Sequence, residues 1–205
     1  MWEQSNVLFV TVNIPGGSNN DDDIWYDTSP SSIPAKSPEQ QQEPVQRTAA
    51  DLRWLDAAFA VANRDKVAAV VIGAQADMWD LEKGAAHQAN YEPFVTKISD
   101  SAKAFGKPVI MFNGDSHKYR SDNPLSPTAP CVLEGAALCT SDYFMHTTDT
   151  HGNPYDVANF HRIVVHGSSA PMEWLKVKVD PLSNHPNGDN AFGPLSWERV
   201  GTGLG

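Results

Sequence analysis

The chain has 205 residues, 40% hydrophobic and 20% charged, with a formal net charge of −10 and a pI near 5.0. That is the composition of a globular protein long enough to bury a real core. Its acidic balance, with no basic cluster to offset it, argues against nucleic acid and anionic membranes as partners, and no apolar run approaches the roughly 20 residues that span a bilayer.

The chain opens with Met1-Trp2-Glu3-Gln4 and enters the apolar run NVLFVTVNI, Asn6 to Ile14. No charged n-region, apolar h-region or cleavage site precedes that run, as expected of a cytoplasmic chain or of a piece of a larger protein. Val, Phe and Ile ending at Pro15-Gly16-Gly17 predict a buried strand running into a turn. Residues 16–44 are dense in Gly, Ser, Pro, Asn and Asp and read as one long loop. Its Asp21-Asp22-Asp23 run is either a cation site or a solvated loop tip.

From Val45 to Arg64, Leu52, Leu55, Phe59 and Ala62 fall on one stripe and predict a helix. Val67 to Ile72 is a continuous apolar run, typical of a strand covered on both faces. YEPFVTKISDSAKAFG predicts a second helix stopped by Gly106, and KPVIMFNG a third buried strand. The order β-α-β-α-β implies an α/β fold, with parallel pairing of the later strands and helices packed on a face. Residues 126–160 read as irregular. HRIVVHGS and EWLKVKVD read as strands, and the short Ser-Ala-Pro link between them predicts a C-terminal antiparallel pair. The tail after Pro181 is rich in Gly, Asn and Pro.

Ligands of open α/β sheets sit beyond the carboxyl ends of the strands. Two strand ends carry polar clusters: Gln75 and Asp77 after Ile72, and Asn113-Gly114-Asp115-Ser116-His117 after Phe112. If the strands are neighbours, Gln75, Asp77, Asp115 and His117 converge, with residue types suited to a divalent metal that activates water. The bland alternative is a set of polar loop caps. Gly-Asp-Ser also resembles the element that gives one group of lipases its name. Ser116 would then be a nucleophile in need of a base and an orienting acid. The nearest partners, Asp149-Thr150-His151 and Asp180 with His185, have the wrong spacing, and there is no Gly-x-Ser-x-Gly elbow. His161 and His166 flank a strand, and His166 faces either the same cleft or the core. His87, His146, His151 and His185 lie in expected loops. Cys131 and Cys139 are either two unrelated side chains of a cytoplasmic protein or a short disulfide loop of a periplasmic or secreted one.

Taken in order, VLFVTVNIPGGSNND, RTAADLRWLDAAFAVA, AAVVIGAQADMWD, YEPFVTKISDSAKAFGKPVIMFNGDSHKYRSDNPL and NFHRIVVHGSSAPMEWLKVKVDP resemble the C-terminal half of calcineurin-like metallophosphoesterases. The resembling branch is a bacterial type ending in Gly-Asp-(Ser/Thr)-His, and the resemblance runs from Trp2 to Pro181. It implies half of a four-layer αββα sandwich, so that residues 1–205 form a single truncated domain of that family. It also implies a two-metal centre at the strand ends that hydrolyses phosphate esters. The family's closing motif is usually Gly-His-x-His. Matched to Gly114-Asp115-Ser116-His117, it makes His117 a metal ligand and puts Asp115 where the other His would stand. The family's preceding His motif falls near Gly73–Asp77, where Gln75 and Asp77 stand instead. The family's earlier Asp-x-His, Gly-Asp and Gly-Asn motifs precede the matched part, so the centre (Zn, Mn, Fe or Mg) is expected to be incomplete in one chain.

The resulting expectation is an ester hydrolase acting on phosphate or other esters of a small molecule. Asp115, Ser116 and His117 are the catalytic candidates, His117 and Asp115 the metal ligands, and Gln75, Asp77 and Arg120 the substrate contacts. Without a metal, His117 would serve as general base, oriented by Asp115 or Asp77, and Arg120 would steady an anionic group. Two alternatives stand beside it: a non-catalytic relative acting as a binding or structural module, and a serine esterase using Ser116. A half-sandwich would expose one apolar sheet face, which predicts a homodimer or higher homo-oligomer.

Overall fold

The computed structural model describes residues 1–22, 24–25, 36–80, 85–126, 131–134, 148, 152–167 and 172–203. The strands are β1 (Trp2–Gln4), β2 (Val7–Thr11), β3 (Ala69–Gly73), β4 (Val109–Asn113), β5 (Arg120–Asp122), β6 (Val132–Leu133), β7 (Phe160–Val164), β8 (Glu173–Val179), β9 (Ala191–Phe192) and β10 (Leu195–Gly201). The helical elements are α1 (Gly16–Asn20), α2 (Pro38–Asp65), α3 (Ala85–Ala89) and α4 (Glu92–Phe105).

Seven strands form one sheet in the order β1-β2-β3-β4-β7-β5-β6, and the other three form a second sheet in the order β8-β10-β9. Strands β2, β3, β4 and β7 are parallel neighbours, while β1, β5 and β6 add antiparallel edges. The expected β-α-β-α-β core is therefore present as β2-α2-β3-α4-β4. Side chains alternate across the large sheet as the period of a strand demands. Leu8, Val10, Val70, Ile72, Val109 and Met111 face Leu55, Phe59, Phe94, Ile98 and Ala102 of α2 and α4. Val7, Ala69, Val71, Ile110 and Ile163 face Leu195, Trp197, Leu175 and Val179 of the small sheet. The result is three layers: helices, large sheet, small sheet.

Three sequence expectations change. Helix α2 begins at Pro38, inside the stretch read as loop 16–44, because Ser37 caps it by accepting the Gln40 N–H and Pro38 fits the first turn, where no backbone donor is needed. Pro44 is accommodated within the helix. The stretch HRIVVHGS and EWLKVKVD do not pair with each other: β7 inserts beside β4, and β8 pairs antiparallel with β10, which lies in the tail. In that pair Leu195 opposes Val179 and Trp197 opposes Val177, a two-residue alternation hidden among glycines and prolines. Finally, the second face of the large sheet is covered by the small sheet instead of lying open. Of residues 126–160, the described part contains β6 and the start of β7.

α1 is a single turn of unusual hand. Gly17, Ser18, Asn19 and Asn20 have φ of 61°, 55°, 60° and 64°, all in the left-handed region. Such runs cost about 1–2 kcal/mol per non-glycine residue and persist only where neighbours hold them. Here Arg47 donates to the Asn19 side chain and carbonyl, Ser18 Oγ donates to the His87 carbonyl, and Asn90 donates to Ser18. This anchoring sets the position of Gly16, which borders the site described next.

Candidate functional site

The carboxyl ends of β2, β3, β4 and β7 surround a depression of about 530 Å³, lined in part by Thr11, Gly73, Gln75, Phe112, Asn113 and Val165. Asn113 ends β4 and is 2% exposed. Its Nδ2 donates to the Gly114 carbonyl, while its Oδ1 has no hydrogen-bond partner among the described residues. An unmet buried acceptor is uncommon, and Asn113 was not among the residues selected from sequence.

The loop after β4 is strained at two non-glycine positions, Asp115 with φ of 77° and His117 with φ of 63°. Asp115 leans towards the β2 and β3 loops. Its Oδ2 accepts the Asp77 N–H at 3.2 Å and its Oδ1 accepts from Gln75 Nε2 at 3.3 Å. Gln75 Oε1 in turn accepts the Gly16 N–H. A Cβ on Gly16 would lie 2.6 Å from Asp115 Oδ1, so glycine is required there by close approach. His117 is exposed and leans the other way, over the loop after β7. A Cβ on Gly167 would lie 2.6 Å from the His117 ring, and the Gly167 N–H donates to the His117 carbonyl.

Beneath this loop lies a buried ion network. Asp77 has a fully buried carboxylate. It accepts from Arg162 at 2.5 Å, from Arg120 at 3.4 Å and from the Ser116 hydroxyl at 2.8 Å. Arg162 also makes a fork-like pair with Asp122, at 2.8 and 2.6 Å, and lies over the Trp79 ring. Strand parity explains the assembly: Asp122 lies opposite Arg162 in the β5–β7 ladder. Burial pulls the Arg120 pKa down to about 10, with the neighbouring Arg162 adding to the effect. For Arg162, burial pulls down, but Asp122 and Asp77 outweigh it and hold the pKa above its ordinary value.

The six residues selected from sequence thus divide. Gln75, Asp77, Asp115 and Ser116 meet in one hydrogen-bonded cluster. His117 shares their loop but points to the other side of it. Arg120, expected at an anionic group, turns inward at 1% exposure and braces Asp77 instead. As metal ligands, Asp115 and His117 diverge, both Asp115 oxygens already accept hydrogen bonds, and no group of three or more metal-binding side chains occurs among the described residues. The described donors therefore do not by themselves fit the dinuclear centre that the resemblance implies.

Ser116 Oγ bonds Asp77 and no imidazole among the described residues, so the base of a serine triad is not assembled. Of its distant partners, Asp180 accepts from Leu182 N–H and Ser183 Oγ in its own turn, and residues 149–151 lie outside the described residues. Elsewhere, the acidic run is bonded within the fold: Asp21 pairs with Lys36, and Asp22 Oδ2 lies 2.9 Å from Nδ1 of the buried His87. Asp23 lies outside the described residues. Cys131 is in the disulfide state, and Cys139, the only other cysteine of the sequence, lies outside the described residues.

No family model, curated protein or solved structure matches the chain at a significant level.

Proposed function

We propose that the chain is an ester hydrolase of the phosphoesterase kind, acting on a small-molecule phosphate or other ester at the loop after β4. The observation that carries this reading is the strained placement of Asp115 and His117, two non-glycine residues in the left-handed region at the mouth of four parallel strands. Strain of this kind is kept where a side chain must be aimed, and strand mouths are where such sheets bind ligands. Asp115 is positioned by Gln75 and the Asp77 amide and offers a partly exposed carboxylate. His117 offers an exposed imidazole, the side chain best suited to take a proton from water near neutral pH. The buried Asn113 Oδ1 supplies an acceptor for a substrate donor.

A divalent metal stays part of the proposal only if groups outside the described residues complete the set that His117 and Asp115 begin, and no step is routed through it. Elemental analysis of the purified protein beside His117→Ala addresses it: equal metal in both removes His117 as a ligand. The proposed homo-oligomer would pair at the rim where Trp2 stacks on Phe9 at 5.2 Å and stays 54% exposed.

A second reading, a non-catalytic binding module, is favoured by one observation: Asp77 is consumed by Arg162, Arg120 and Ser116 and has no capacity left for chemistry. A substrate panel separates the readings. Turnover of p-nitrophenyl phosphate supports the hydrolase, and sensitivity to chelator adds the metal. Turnover of short acyl esters that Ser116→Ala abolishes and chelator leaves alone moves the assignment to a serine esterase. No turnover of either leaves the binding module.

A further inference from the structure

The depression at the mouth of the large sheet has a gap in its floor. Thr11, Gly73 and Phe112 are register partners on β2, β3 and β4, so they stand in one row across the sheet. Strand parity places all three on the face that carries Val71 and Ile110, the face packed by the small sheet. One row lower, Phe9, Val71 and Ile110 are register partners, and each carries a large side chain. The upper row is less covered: Thr11 is exposed, and Gly73 and Phe112 are half-buried. Gly73 leaves an open place between its two neighbours.

Neither conformation nor crowding accounts for that glycine. Gly73 lies outside the left-handed region, and a Cβ there would meet nothing closer than Thr11 Cγ2 at 3.6 Å. Gly114, just past the end of β4, is alike. It has no left-handed φ, and a Cβ there would find the Gln75 carbonyl oxygen at 3.8 Å and Val165 Cγ2 at 3.9 Å. Gly16 and Gly167 differ, since a Cβ on either would collide at 2.6 Å. Glycine in a strand weakens it and marks a place where another group approaches the backbone closely. Gly73 and Gly114 both line the depression.

The walls say what kind of group fits. None of the lining residues has an ionisable side chain. The floor's backbone is already paired: the Ala74 N–H donates to the Phe112 carbonyl, the Gly114 N–H to the Gln75 carbonyl and the Val12 N–H to the Gly73 carbonyl. Phe112 and Val165 supply apolar contact. Thr11 and Phe112 stand two strand spacings apart, about 10 Å. With carbon contacts of about 3.5–4.0 Å on either side, one flat ring standing edge-on fills that width. Gln75, also in the lining, donates to Asp115 at 3.3 Å, so the depression opens beside Asp115.

We propose that this gap is a binding slot for a flat, uncharged aryl group, kept open by Gly73 and Gly114. Its role rests on the hydrolase reading: the slot holds the aryl part of an ester whose reacting bond stands beside Asp115. The substrate class is then an aryl ester, and Gly73 is a specificity-determining residue. The slot itself is tested without turnover.

The probe is 2-naphthol, with its saturated, puckered counterpart 2-decalol as comparator. Binding to the full chain is followed by the amide NMR shifts of Gly73 and Gly114. 2-Naphthol is expected to saturate with a Kd of about 1 mM or below, and 2-decalol to bind at least about fivefold more weakly. Gly73→Val fills the gap and is expected to weaken 2-naphthol by about tenfold or more. Gly201→Ala, on β10 with open space around it, leaves binding unchanged. Should Gly73→Val not fold by circular dichroism, Gly73→Ala carries the test, with a loss of about threefold or more. No saturable shift at the two glycines, equal binding of 2-decalol, or wild-type affinity in the folded Gly73 variant would each overturn the proposal. Turnover separates it from the hydrolase reading. Binding of 2-naphthol without turnover of 2-naphthyl phosphate supports the slot and counts against the hydrolase. Turnover of 2-naphthyl phosphate that Gly73→Val leaves unchanged counts against the slot alone.

Discussion

Arg162 and Asp77 meet at 2.5 Å with no exposed surface on either side chain. The two residues come from distant parts of the chain, the loop after β3 and the strand β7, and their pairing ties the floor of the site to the far half of the sheet. Two unlike charges out of water are tolerated only when fully bonded, and here Asp122, Arg120 and Ser116 complete the set.

Removing one member should therefore cost far more than a surface ion pair. Asp77→Ala leaves two buried guanidinium groups short of a counter-ion and is expected to destabilise by about 3–5 kcal/mol. The exposed pair Lys176–Glu198 sets the comparison, and Lys176→Ala is expected to cost under about 1 kcal/mol. Urea unfolding of the three proteins measures both.

A second prediction concerns pH. His161 is fully buried beneath the small sheet, with Nδ1 at 2.6 Å from Asn187 Oδ1 and Nε2 at 2.8 Å from Ser121 Oγ. The Asn187 amide donates to the Phe160 carbonyl, so its oxygen faces His161 and the imidazole proton sits on Nδ1. Burial holds the pKa below its ordinary value and outweighs the hydrogen bond to Asn187, which acts in the other direction. The unfolded chain therefore binds the proton more readily, and stability falls as pH drops below about 6.5 towards the folded pKa. Thermal melts between pH 7.5 and 5 should show this loss in the wild type and a smaller one in His161→Gln. Parallel slopes in the two proteins would contradict it.

Two glycines give a test of position without touching the proposed site residues. Gly16→Ala places a methyl carbon 2.6 Å from Asp115 Oδ1, and Gly167→Ala places one 2.6 Å from the His117 ring. Displacements of about 1 Å near the chemistry cost up to about 10²-fold in rate. Each alanine is expected to lower kcat on p-nitrophenyl phosphate by about ten- to a hundredfold, with circular dichroism confirming an unchanged fold. Full activity in both variants would mean that neither side chain needs its present place.

Light scattering at micromolar concentration tests the proposed self-association: the expected mass is about twice the 22.4 kDa of one chain. A mass of one chain, in a fold whose second sheet face is already covered by β8 and β10, would end that proposal.

The parallel core was legible because buried strands write continuous apolar runs: Val67–Ile72 and Val109–Phe112 could be read without any partner. The small sheet was not. β10 is half exposed, its alternation of Leu195, Ser196 and Trp197 is short, and the Gly and Pro around it mark a loop in any local reading. Gln75, Asp77 and Asp115 were legible as a group, since parallel neighbours bring consecutive strand ends together. The inward turn of Arg120 was not legible, because sequence gives no sign of which way a charged side chain turns. Its direction is set by Asp77, 43 positions away. Arg162 carried no local signal, and Asn113 and Gly16 were legible only as members of a polar strand end and a turn: their importance lies in what they touch.

The most direct test of the central claim is kcat/KM on p-nitrophenyl phosphate for wild type, Asp115→Asn and His117→Ala, measured on protein shown to be folded. The account predicts turnover by the wild type and a loss of about 10²-fold or more in each variant. No turnover by the wild type, or turnover that neither substitution changes, would contradict it.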